Sequence, residues 1–196
     1  MKTFPRFLAM VAGLGLAVSS MGATAATECN TGPPPAAIPL SGTLTGGVVV
    51  NAGDFCILGG ANVYGGVRVN QGGILILCGS TINGGLESNG AVELVVGAEE
   101  IRCDGSIIHG GVRISNTGPG NVLPPGCVPD VDCAPSLAVE NSIIDGSVRL
   151  VGNLGTMAIA GNNIRGGLFC KNNQFDPEDE GNPSVVTGEV SCEFEP

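Results

Sequence analysis

The 196-residue sequence has no Trp, a single Tyr and a single His. Only eight residues are Lys or Arg, against eighteen Asp or Glu, for a formal net charge of −10 at pH 7. Each shortage removes a class of function. With Tyr64 and six Phe as its only aromatics, the chain has no platform of stacked indoles for sugar rings. With no cluster of basic residues along the sequence there is no phosphate track. An acidic chain also repels nucleic acid and anionic lipid wherever salt leaves charge unscreened. One imidazole, His109, and widely spaced cysteines argue against a zinc site. Gly-x-Ser-x-Gly, His-Glu-x-x-His and phosphate-loop patterns are missing, so no metal, cofactor or catalytic set is expected. No apolar run approaches the twenty residues of a membrane-spanning helix.

The N-terminus reads as a leader. Lys2 and Arg6 precede an apolar run from Phe7 to Val18, and Ala23-Thr24-Ala25 supplies small residues for cleavage. Residues 1–25 are therefore expected to be a signal peptide and the mature chain to be secreted or held at the cell surface. No lipobox precedes Cys29. All eight cysteines (Cys29, Cys56, Cys78, Cys103, Cys127, Cys133, Cys170 and Cys192) follow the leader. An even number in an exported chain points to disulfides, whose pairing the spacing leaves open. Cys127–Cys133 and Cys170–Cys192 are the local pairs favoured first.

What the sequence does contain is a repeat. Glycine doublets recur at Gly46-Gly47, Gly65-Gly66, Gly84-Gly85 and Gly110-Gly111, then as Gly146-Ser147 and Gly166-Gly167. The intervals are 19, 19, 26, 36 and 20 residues, so the unit is 19–20 residues with two insertions. After each doublet, apolar residues alternate: Val48/Val50, Val67/Val69, Leu86/Ser88, Val112/Ile114, Val148/Leu150 and Leu168/Cys170. Period two means strand. An Asn/Gly turn follows, then a second strand (Phe55/Ile57, Ile74/Ile76, Val92/Leu94/Val96), then an aliphatic before the next doublet. Two or three short strands and tight bends in nineteen residues describe one coil of a solenoid. The expected fold is all-β, a single-stranded parallel β-helix of about six coils over residues 44–173. The leucine-rich repeat frame is absent, and a hairpin sandwich would not require equal steps.

Stacked coils turn sequence positions into surface columns. One runs Val49, Arg68, Glu87, Arg113, Arg149, Phe169, with charges alternating over its first three charged members. Another, Thr45, Tyr64, Asn83, His109, Asp145 and Arg165, is the candidate outer-face interaction column. Residues 26–43 are read as a lead-in cap and 174–196 as an acidic loop and closing cap. Residues 116–135, with five prolines, are read as a loop beside the solenoid. Asp104, Asp130 and Asp132 lack an EF-hand or nonapeptide calcium frame. The lone Thr43/Thr45 pair argues against an ice-binding Thr ladder.

These observations describe an exported structural or surface-interaction protein, its partner being itself, the envelope or an extracellular matrix. Nucleic acid is excluded as a partner. The alternative is a polysaccharide-active enzyme using outer-face carboxylates, for which Glu140, Asp145, His109 and Arg165 are the residues to watch. The phrase V-x-G-G-V-x-V-x-x-G-G-x-L-x-L, with N-x-I-x-G-G-L-x-C-x-x-N at 162–173, resembles secreted parallel β-helix proteins of actinobacteria. Their coils are similar in turn to those of bactofilins, polymer-forming cytoskeletal proteins. The resemblance covers roughly residues 44–173 and implies a β-helix. A leader and eight cysteines set this chain apart from bactofilins, and no functional residue is carried over, because the matching positions are glycines and core aliphatics.

Overall fold

A computed structural model describes residues 25–32, 37–97, 102–118 and 136–194. The expected leader before residue 25 and the Cys127–Cys133 pair lie outside the described residues, as does most of the 116–135 insertion.

The chain winds as a parallel β-solenoid of about seven turns with three faces. The first face is a sheet of eight parallel strands, one per coil: Thr27–Glu28, Val48–Val50, Val67–Val69, Leu86–Asn89, Val112–Ser115, Val148–Val151, Leu168–Lys171 and Val190–Ser191. The second face stacks the start of the long strand Phe55–Val63 with Ile74–Cys78, Glu93–Val96, Leu137–Glu140 and Met157–Ala160. Phe55–Val63 bends onto the third face, where Asn62 and Val63 pair with Thr81–Ile82. Ile107–Ile108, Ile143–Ile144, Asn163–Ile164 and Val185–Val186 follow in order.

The doublets undercount the coils because the first and last rungs have none. Ala25-Ala26 precedes Thr27, and Gly188-Glu189 precedes Val190. The segments read as caps thus contribute strands at both ends, Thr27–Glu28 and Leu40–Leu44 at one, Val185–Val186 and Val190–Ser191 at the other. The two long intervals enter at different corners, yet the strands around them stack without a gap. Leu94 pairs with Leu137, and Ile82 with Ile108.

Among the described residues one large core fills the interior, and a small second cluster is formed by Val95, Ala138 and Ala158 with Ile76. The first face contributes Val67, Val69, Leu86, Ile114, Val148 and Leu150, the third Val63, Ile82, Ile108, Ile144 and Ile164. On the second face the inward residues are Cys56/Leu58 and Leu75/Leu77, whereas Phe55, Ile57, Ile74 and Ile76 lie on the partly exposed side. Phe55/Ile57 and Ile74/Ile76 are the pairs expected from the sequence to mark this strand. Both sets are apolar, so alternation of hydrophobicity cannot fix the phase; the inward Cys29–Cys56 disulfide, with Cys56 fully buried, accompanies the observed one.

The doublets do not stand where a left-handed backbone is needed. Of their glycines only Gly47, at φ 85°, has positive φ. The cause is close approach at the corner between the third and first faces. A Cβ on Gly65, Gly84, Gly110, Gly146 or Gly166 would lie 2.6–2.7 Å from backbone atoms of the preceding coil. Positive φ belongs to other corners, for example Gly53, Gly72 and Gly90 after the first face.

A buried polar ladder crosses the corner between the second and third faces. The N–H of Ala61 donates to Ser80 Oγ (3.0 Å), and that of Ser80 to Ser106 Oγ (3.2 Å). The series continues from Ser106 N–H to Ser142 Oγ (3.0 Å), Ser142 N–H to Asn162 Oδ1 (3.0 Å) and Asn162 N–H to Ser184 Oγ (3.1 Å). Each side chain satisfies a buried donor that the turn has withdrawn from the sheet.

Three disulfides are described. Cys29–Cys56 ties the first rung to the second face, Cys170–Cys192 ties the last two rungs of the first face, and Cys78–Cys103 closes the shorter insertion. End rungs have a neighbour on one side only and fray most easily. Closing loops of this length is worth on the order of 3 kcal/mol each in the chain-entropy account.

Candidate functional site

The corner residue before each doublet is positioned by its backbone. The N–H groups of Tyr64, Asn83, His109, Asp145 and Arg165 donate to the carbonyls of Leu44, Val63, Ile82, Ile108 and Ile144, at 2.8–2.9 Å. This fixed step places the five candidate side chains in one line on the outer surface. Tyr64, at one end, is 60% exposed. Asn83 Nδ2 donates to Asn62 Oδ1 (2.9 Å) and to the Val63 carbonyl (3.2 Å).

The other three form a charged group. Asp145 Oδ2 is 2.7 Å from His109 Nδ1, and Asp145 Oδ1 accepts from Arg165 Nη1, also at 2.7 Å. These residues are 36 and 20 positions apart in sequence and adjacent only because the coils stack. The hydrogen bond from His109, followed by the charge of Arg165, holds the Asp145 carboxyl below its usual value. A depressed carboxyl favours the fold above its unfolded-state value, and that contribution is lost as pH falls through the folded-state value. We expect Asp145 to titrate below the ordinary Asp range by carboxyl NMR, and His109→Gln to move its midpoint up. An unchanged midpoint in that variant would mean that His109 does not govern the site.

Chemically, an imidazole oriented through Nδ1 by a carboxylate leaves Nε2 for a proton or a ligand. The nearby Ser147 hydroxyl accepts the N–H of Gly167 at 3.1 Å. The paired outer-face carboxylates that the enzyme alternative calls for are not formed by Glu140 and Asp145. Glu140 is 2% exposed on the second face, whereas Asp145 stands on the outer corner. Among the described residues no group of three His, Cys, Asp or Glu is arranged to hold a metal ion. Asp130 and Asp132 lie outside them. Glu93, half-buried at the start of its strand, has its carboxyl pushed up by burial. Its ionisation therefore costs stability as pH rises.

The second column stands beside the doublets on the first face. The register runs Glu28, Val49, Arg68, Glu87, Arg113, Arg149, Phe169 and Ser191. Arg68 Nη2 meets Glu87 Oε2 at 3.2 Å, and the Arg149 guanidinium lies 5.1 Å from the centre of the Phe169 ring. A shallow, open groove of about 700 Å³ follows this column, with Gly47, Gly66, Gly85, Gly111 and Ser147 among its lining residues. The column is legible in the sequence, and the groove beside it is not among the expectations drawn from it. The signal was present in the doublets themselves, which place residues without long side chains next to the charged row. No protein-family model, no curated protein and no solved structure matches this chain.

Proposed function

We propose that the protein is an exported β-helix scaffold that acts by presenting its outer faces to the envelope or an extracellular matrix, with self-association as a further mode. The observation that carries this reading is the in-register stacking of outward side chains on consecutive coils. It makes each face a rigid ladder whose members are spaced ~4.8 Å apart. Such a surface suits a repetitive partner. Three disulfides among the described cysteines support an oxidising compartment, as does the leader read from the sequence. The oxidised mature chain is expected to cosediment with insoluble envelope or matrix material. A protein that remains in the supernatant, and stays monomeric across concentration in sedimentation velocity, overturns the reading.

A second reading rests on Asp145, held between His109 and Arg165. That arrangement favours acid–base chemistry on a polysaccharide. Turnover on a glycan panel, abolished by Asp145→Ala in a folded variant, would establish it.

A further inference from the structure

We propose that the groove on the first face binds a linear acidic polysaccharide whose carboxylates pair with Arg113 and Arg149. This inference rests on the surface-interaction reading above and names the partner's chemistry.

Six basic residues follow the leader, and three of them, Arg68, Arg113 and Arg149, stand in a single column. In a chain with eighteen acidic residues this is a marked segregation of positive charge. Arg68 is already occupied by Glu87. Arg113 and Arg149 are register partners on neighbouring strands, ~4.8 Å apart along the solenoid. Among the described residues neither forms an ion pair. Like charges facing each other across a strand pair repel, and an anion placed between them relieves that repulsion. Phe169 lies under the Arg149 guanidinium, which favours one orientation of that head group.

The groove decides the shape of the ligand. It crosses consecutive coils and is bordered by the charged row, so its long direction follows the solenoid axis. From Gly47 to Ser147 is four coil steps, about 19 Å at the usual strand spacing. Its lining includes Gly46, Gly47, Gly66, Gly85 and Gly111, which carry no side chain and leave room for a chain lying against them.

Other polymers fit less well. A peptide cannot add as a strand here, because the sheet's backbone groups are already paired with neighbouring coils. Single-stranded nucleic acid calls for aromatic stacking along a continuous basic track. This row has one aromatic, Phe169, and is interrupted by Glu87. The hydroxyls of a carboxylated glycan can accept the guanidinium N–H groups that its carboxylates leave over.

The test is isothermal titration of the oxidised mature chain with an oligogalacturonate, a neutral glucan oligomer and single-stranded DNA. Binding is expected for the oligogalacturonate and should weaken with salt. The double variant Arg113→Gln/Arg149→Gln should bind at least about tenfold more weakly, a loss of roughly 1.4 kcal/mol. Glu87→Gln, which removes a like charge and frees Arg68, should bind more tightly than the wild type. That gain cannot come from misfolding. Equal binding of the neutral glucan or of DNA overturns the proposal, as does indifference to all three substitutions. Absence of oligogalacturonate binding also overturns it, and envelope cosedimentation retained by the same preparation then leaves the scaffold reading standing.

Discussion

Gly110→Ala is expected to destabilise the fold by about 2–4 kcal/mol, while Gly111→Ser, one residue on, should cost less than about 1 kcal/mol. The pair isolates the reason for the glycine doublets. A Cβ on Gly110 would lie 2.7 Å from the carbonyl carbon and oxygen of Gly84 and from the nitrogen of Gly85. All three are backbone atoms, and the Gly84 carbonyl accepts the N–H of Gly110 itself at 3.0 Å, so no side-chain rotation relieves the overlap. Gly110 itself lacks positive φ, which removes backbone conformation as an explanation. On Gly111 the nearest atom to an added Cβ is the Ser147 carbonyl oxygen at 3.1 Å, and Ser147 already carries a side chain at the equivalent place one coil later. Urea denaturation of the two oxidised variants measures the difference. Equal costs would refute close approach as the constraint.

Asn162→Ala should be of similar size, about 2–5 kcal/mol, because it strands two buried backbone groups at once. Asn162 is 2% exposed. Its Oδ1 accepts the Ser142 N–H, while its Nδ2 donates to the Val139 carbonyl at 2.6 Å and to Ser184 Oγ at 3.1 Å. Alanine leaves the Ser142 donor and the Val139 acceptor without those partners. Asn162→Ser should recover much of the loss, since serine holds the same ladder position at Ser80, Ser106, Ser142 and Ser184. In those coils the hydroxyl accepts from the preceding rung, and it donates to a nearby carbonyl, as from Ser142 to Glu140 at 2.8 Å. Thermal unfolding of the two variants against wild type reads the order directly. If serine is as damaging as alanine, the ladder does not act through its backbone acceptor.

The contrast between these residues explains what could be read in advance. The doublets announced themselves because close approach accepts only glycine there, and the requirement recurs with every coil. The ladder was equally periodic, its members two residues before Val63, Ile82, Ile108, Ile144, Ile164 and Val186. It passed unseen because serine and asparagine are also ordinary turn residues, and burial is what separates the two roles. His109 and Asp145 were recognisable as members of one column. Their 2.7 Å contact depends on the strands Ile107–Ile108 and Ile143–Ile144 stacking directly, 36 positions apart in sequence. The second face's phase was undecidable from hydrophobicity alone, since both of its sides carry apolar residues.

By itself, then, the sequence determined the repeat, the parallel stacking of coils and the inward aliphatics of the first and third faces. All of these follow from short-range steric and hydrophobic rules applied at a fixed period. The Cys170–Cys192 pair expected from the sequence forms, whereas only the tertiary structure decided the extra rungs at the ends, the Cys29–Cys56 and Cys78–Cys103 pairings, the buried ladder and the groove beside the Arg113–Arg149 column. Those depend on which coil lies over which, and contacts between residues 20 to 36 positions apart exist only once the chain has wound.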